Sequence, residues 1–405
     1  MSEHRHRPLR VPRFSWYRPM RGRTDEEEGR AATPLELLFD LCFVVAVAQA
    51  GSRLEHTVVE GHFGAGLLGF AVTFFAIWWA WMNFTWFASA YDTDDVPYRI
   101  ATLVQIAGVL VLAAGVPRAF DQLDLTIPIL GYAVMRTALV AQWLRAAAGE
   151  PDGGRRSACL RYAGGIGVAE LAWLVWLFLP ERWQPWWFLL GVLLEVAVPV
   201  AAERRAVTPW HTSHISERYG LFTIIVLGES ISAATRDVQE AVEGEVHAGF
   251  GELTSVIVGG LLIVFSMWWQ YFALPASAMM QQRAGSLRSV LAWGYGHVLV
   301  FAGAAAVGPG LVVAAHQAIG GTELTQVEAG SAVTVPAAVY VLAVEYLQLR
   351  PFQRSRLVRG VYPCCAAAVL GATWTPEPVL VTGLLLVCAL LVAIAGRVRA
   401  QRAAG

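Results

Sequence analysis

Apolar segments long enough to cross a bilayer recur from one end of this 405-residue chain to the other, and they leave it few ways to fold. A helix needs about 20 apolar residues to cross a hydrocarbon layer roughly 30 Å thick. Lipid offers the backbone no hydrogen bonds, so the segment must satisfy its own, as a helix does. Twelve segments can be drawn, at 34–53, 63–90, 97–116, 126–147, 159–179, 186–203, 213–235, 252–275, 287–318, 327–348, 355–372 and 376–397. The chain is 56% hydrophobic and only 15% charged, whereas soluble domains carry about a quarter charged residues. The expected fold class is an all-α polytopic membrane protein of about 12 transmembrane helices. Gly308, Pro309 and Gly310 interrupt the ninth segment. It reads either as one long kinked helix or as a helix with a re-entrant piece.

Charge placement orients the chain. Inner loops are richer in Arg and Lys than outer ones. With the N-terminus inside, the inner connections carry Arg145, Arg155, Arg156, Arg204, Arg205, Arg283, Arg350 and Arg354. The outer ones hold Arg53, Arg118, Arg182 and Arg236. Both termini are therefore expected in the cytoplasm and the protein in the cell's inner membrane. The first thirty residues are Arg-rich with an acidic run at Asp25–Glu28, and lack the apolar core of a signal peptide. They read as a flexible cytoplasmic tail. A net charge of −1 gives no reason to expect a nucleic-acid partner. Cys42, Cys159, Cys364, Cys365 and Cys388 lie in or beside apolar text without metal-type spacing, and read as small apolar residues. No cofactor is implied.

The stretch Thr33–Gln49, TPLELLFDLCFVVAVAQ, opens an apolar segment with two carboxylates, Glu36 and Asp40. Four residues apart, they share one helix face. Glu217–Ile231, ERYGLFTIIVLGESI, repeats the arrangement about 180 residues later. In each half the next segment carries a Trp pair, Trp78-Trp79 and then Trp268-Trp269. The expected organisation is a tail (1–33), a six-helix repeat (34–203), a linker (204–212), a second six-helix repeat (213–397) and a short tail (398–405). Two even-numbered repeats share one orientation, with an axis along the membrane normal and a central pathway between them.

Three stretches resemble the bacterial low temperature requirement A (LtrA) family: ELLFDLCFVVAVAQ (36–49), WMNFTWFASAYDTDDVP (81–97) and HISERYGLFTIIVLGES (214–230). Leu38 and Cys42 stand where the pattern suggests Phe and Val. The resemblance implies an integral membrane protein connected with growth at low temperature. It brings no settled molecular activity.

Ionisable groups in lipid cost several kcal/mol unless paired or wetted, so they are the candidates for function. Glu36 and Asp40 could line a cation or proton pathway, although Glu36 beside Pro34 also suits a helix start. His214, Glu217 and Arg218 fall on neighbouring positions of one helix face. They could form an ion-pair network, with Arg218 reaching Glu36 or Asp40 across the two halves. His211, His214 and Glu217 could instead hold a metal. Glu229 sits about 22 Å along its segment between Gly228 and Ser230, small residues that would let another backbone or a substrate approach. With Asp40 and Glu217 it would line the pathway, Arg218 acting as counter-charge. Arg136 could pair with Glu170 or Glu195. His297 and His316 read as packing groups. Asp92, Asp94 and Asp95 form an acidic cluster that could hold Mg²⁺ and a diphosphate, or simply cap a helix.

The leading expectation is passage of a small solute or cation, as a transporter or channel-like protein in contact with the lipid bilayer, without an enzymatic step and compatible with an oligomer. One alternative is an intramembrane enzyme acting on an isoprenoid or lipid diphosphate. The other is a structural or sensory membrane protein in cold adaptation.

Overall fold

The computed structural model describes residues 16–23, 31–243, 250–283, 285–353 and 356–402. Every regular element among them is helical. The first group is α1 (Pro34–Val59), α2 (Phe63–Tyr91), α3 (Val96–Gln122), α4 (Thr126–Gly149), α5 (Gly153–Trp176) and α6 (Gln184–Glu203). The second is α7 (Thr212–Glu243), α8 (Phe250–Phe272), the short α9 (Ala276–Arg283), α10 (Leu287–Ala318), α11 (Gln326–Val344), α12 (Arg356–Ala372) and α13 (Pro378–Arg402).

Local chemistry sets several starts. Thr33 caps α1, its Oγ1 accepting from the Glu36 N–H while the Glu36 carboxylate accepts from the Thr33 N–H, with Pro34 at the first position. Thr325 and Glu328 repeat this box at α11. Asp95 caps α3 and Ser286 caps α10.

Ten helices among the described residues are long and apolar enough to cross a membrane. The two long helices outside that set are α7, which carries Glu217, Arg218 and Glu229, and α12, which has 17 residues. Outward faces carry exposed Leu67, Leu171, Phe178 and Trp186, a surface suited to lipid. The interrupted ninth segment is one unbroken helix, α10, with Pro309 inside it. α10 is the most enclosed of the long helices, and Pro309 packs where Gly51 of α1 leaves room.

Neighbour relations recur between the two groups. α1 packs on α2 and α3, then α3 on α4, α4 on α5 and α5 on α6. Likewise α7 packs on α8 and α10, then α10 on α11, α11 on α12 and α12 on α13. The closest approaches recur as well. Gly108 and Gly115 of α3 face Gly131 and Pro128 of α4. Gly303 and Gly310 of α10, with the same spacing of seven, face Pro336 and Ala332 of α11. The groups meet where α1, α2 and α10 surround α7.

Residues 16–23 differ from the expected loose tail. They lie across the ends of α2, α3 and α4 with Met20 fully buried. The Arg18 N–H donates to Asp95 Oδ2 at 2.8 Å, and the Gly22 N–H to Glu150 Oε2 at 3.1 Å. The acidic run Asp25–Glu28 lies outside the described residues.

Candidate functional site

The start of α1 and the start of α7 run side by side, and their ionisable residues meet. Arg218 donates from Nη2 to Asp40 Oδ1 at 2.5 Å and from Nε to Asp40 Oδ2 at 3.1 Å, a two-pronged pair. Its Nη1 lies 3.2 Å from Glu36 Oε1, close enough for an ion pair but without hydrogen-bond alignment. His214 Nε2 is 3.2 Å from the same Glu36 oxygen. Trp81 Nε1 donates to Asp40 Oδ1 at 2.7 Å. Glu36, Asp40, His214 and Arg218 are all fully buried. Two carboxylates, one guanidinium and one imidazole are neutral when His214 or one acid carries a proton.

Aromatic rings close the cluster off. Trp81 stacks on Phe222 with centroids 4.3 Å apart and meets Tyr219 and Phe301 edge-on. The Trp86 Nε1–H donates to the Tyr219 hydroxyl at 3.0 Å. Trp78, Trp79 and Trp81 are core residues, whereas Trp268 and Trp269 face outward. The two Trp pairs thus differ, the first packed in the core and the second on the surface.

Further along the same seam lies a cavity of about 190 Å³ between α1, α7 and α10. Its wall includes Ser52, Glu55, Glu229, Ser230 and Pro309. Asp40 is not part of it, so the two acids stressed by the sequence belong to separate places on the seam. Ser230 is held by its hydroxyl, which donates to the Ala304 carbonyl at 2.9 Å. The close approach expected beside Glu229 occurs at Ser230, against Gly308, while Gly228 faces open space.

Other candidates fall elsewhere. Glu217 is exposed and accepts from the Ala32 N–H at 3.4 Å. His211 precedes α7 and binds the Ser213 hydroxyl. No group of three His, Cys, Asp or Glu that could hold a metal occurs among the described residues. His211, His214 and Glu217 therefore do not converge, because Glu217 lies on the outer face of α7. Arg136 pairs with Glu195 at 2.9 Å. His297 donates from Nδ1 to the Trp293 carbonyl, and its Nε2 faces Tyr271 and Gln348.

Asp92, Asp94 and Asp95 turn to three different arginines. Asp92 lies 3.7 Å from Arg23, Asp94 pairs with Arg99 at 2.8 Å, and Asp95 accepts from Arg145 Nη1 at 3.0 Å. The cluster is a set of caps and clasps, and that geometry lends a Mg²⁺–diphosphate site no support. Burial opposes the charge of Asp95. Arg145 and the N–H groups of Arg18 and Tyr98 outweigh it and hold the carboxyl below the usual carboxylate range. A lowered folded-state value means stability that is present above about pH 4, the unfolded value, and lost as pH falls through the folded one. Asp95→Ala is therefore expected to destabilise by about 0.5–2 kcal/mol at neutral pH. Thermal unfolding in detergent should show the gap to wild type narrowing in acid.

Two members of the site have roles that the sequence does not assign. Trp81 fixes Asp40, and its tryptophan-rich surroundings hid that role. Glu55 lies beyond the expected end of the first segment, but α1 runs on to Val59.

Comparison with known proteins accounts for most of the chain. Residues 31–395 match the family model described as bacterial low temperature requirement A protein. A curated relative from Rhizobium meliloti (strain 1021), RA0937, is 26% identical over 259 residues, 61% of this chain and 59% of its own length. The chain thus spans less than two thirds of that relative. No solved structure matches. The chain belongs to the bacterial low temperature requirement A family.

Proposed function

We propose that the protein passes a small cation or cationic solute across the membrane along the seam between α1 and α7. The observation that carries this is the cavity of about 190 Å³ holding Glu55 and Glu229. It lies where the two groups of helices meet, the usual place for a binding site in transporters built from repeats. Carboxylates and serine oxygens suit a hard cation or an ammonium group. The Asp40–Arg218 pair, walled by Trp81 and Phe222, serves as the closed end of the path. Arg218 is the counter-charge that an arriving cation displaces.

In this reading all twelve long helices cross the inner membrane as two tandem six-helix repeats. The recurring neighbour order and the paired glycines on α3 and α10 support it. The arginine distribution supports cytoplasmic termini.

The test is rubidium, sodium and magnesium flux into proteoliposomes containing the full chain. Glu229→Gln is expected to cut flux of the preferred cation at least about tenfold, the equivalent of ~1.4 kcal/mol. Asp40→Asn should change the voltage or concentration dependence of that flux. Absence of flux for every cation, or flux indifferent to both changes, overturns the reading.

A further inference from the structure

A second set of buried charges lies away from the seam, among α2, α4, α5 and α6. Arg136, Glu170 and Glu195 are 2%, 8% and 2% exposed. Glu195 is fully engaged. It accepts from Trp79 Nε1 at 2.7 Å, Trp173 Nε1 at 3.2 Å and Arg136 Nη2 at 2.9 Å. Glu170 is not engaged. Both of its oxygens are buried without a hydrogen-bond partner among the described residues. The Nε and Nη1 of Arg136 are likewise without one. Two acids against one guanidinium leave one negative charge over, and an uncompensated charge at this depth is unfavourable. A proton removes it.

We propose that Glu170 is a reversible proton-binding site. In the conformation described here its carboxyl carries the proton and needs no cation. When the proton leaves to water, the carboxylate left behind turns to the two unused nitrogens of Arg136, which supply the missing donors. Arg136 and Tyr132 on α4 and Glu195 on α6 are the charged or titratable groups that act on it. From α2 the cluster receives the Trp79 indole. Movement of α5 against α4 would then follow the proton. Coupling of that movement to cation passage rests on the function proposed above, whereas the proton site stands without it.

The direct readout is infrared difference spectroscopy of the full-length protein in detergent, in acidic against alkaline buffer. Wild type is expected to show the carbonyl band of a protonated carboxyl that shifts in heavy water. Glu170→Gln, which copies the shape of the neutral acid, should lack that band, and Glu170→Asp should move it. The control Glu345→Gln, at another buried acid just past the end of α11 and 4% exposed, should retain it. Identical spectra for wild type and Glu170→Gln overturn the proposal. In proteoliposomes, an imposed pH gradient should change rubidium flux severalfold in wild type and leave it unmoved in Glu170→Gln, and equal responses overturn the coupling. If rubidium does not move at all, the passage reading fails for that ion, and the infrared band still decides the proton site.

Discussion

Arg218→Met is expected to destabilise the protein by about 3–5 kcal/mol, measured as the free energy of unfolding in detergent. Removing the guanidinium leaves Asp40 and Glu36 fully buried without Arg218. Among the described residues Asp40 would keep the Trp81 N–H, while Glu36 retains its cap bonds to Thr33 and lies beside His214. The cost is large because one partner is removed and the other stays charged. Removing both sides should cost much less, since a buried pair can often be replaced by apolar residues of similar volume. The triple variant Arg218→Met with Asp40→Asn and Glu36→Gln is therefore expected to recover at least half of the loss. A single change that costs less than 1 kcal/mol, or a triple change no better than the single one, would contradict the geometry described.

Gly310→Val is the second large effect, and it acts through shape. A Cβ at Gly310 would overlap the carbonyl oxygen of Ala332, and Gly308 on the same helix already touches the Ser230 backbone. Backbone atoms cannot swing aside as a flexible side chain does. α10 and α11 would have to separate along their length, at a cost of about 1–3 kcal/mol or more for overpacking. The companion Gly108→Val should behave alike, because its Cβ would lie 2.7 Å from the Gly131 carbonyl oxygen. Gly228→Val is the control, with nothing within reach of the added atom. Thermal unfolding of the three variants in detergent should separate the first two from the third.

The sequence carried the helices well, because apolar length is a local signal. Each of the twelve drawn segments falls on a long helix. The eight-residue α9 was missed, since it is short and polar. Asp40 and Arg218 stood out because ionisable residues inside apolar text are conspicuous, and their partnership followed from the repeated opening of α1 and α7. What could not be read was anything set by a distant partner. Met20 has no periodic context that marks it for burial. The acidic text at Asp92–Asp95 gives no hint that Arg23, Arg99 and Arg145 divide the three acids among them. A glycine such as Gly108 acquires its meaning from Gly131, which lies on another helix. Glu170 and Glu195 looked interchangeable as partners for Arg136 until the indoles of Trp79 and Trp173 converged on only one of them.

In the twelve-helix topology proposed above, the pairing of Arg218 with acids on α1 would also set an order of biogenesis. In such a topology α7 must leave the insertion machinery for the bilayer with Arg218 in its second turn, and an ionisable group in lipid is costly unless it is paired. α7 lies outside the ten described helices that are long and apolar enough by composition to cross a membrane. Its neutralising acids belong to the first helix made, which is synthesised and seated well before α7 emerges. In that topology the N-terminal half would act as a template that admits the C-terminal half. A chain beginning at α7 would be held back at the translocon for want of Glu36 and Asp40.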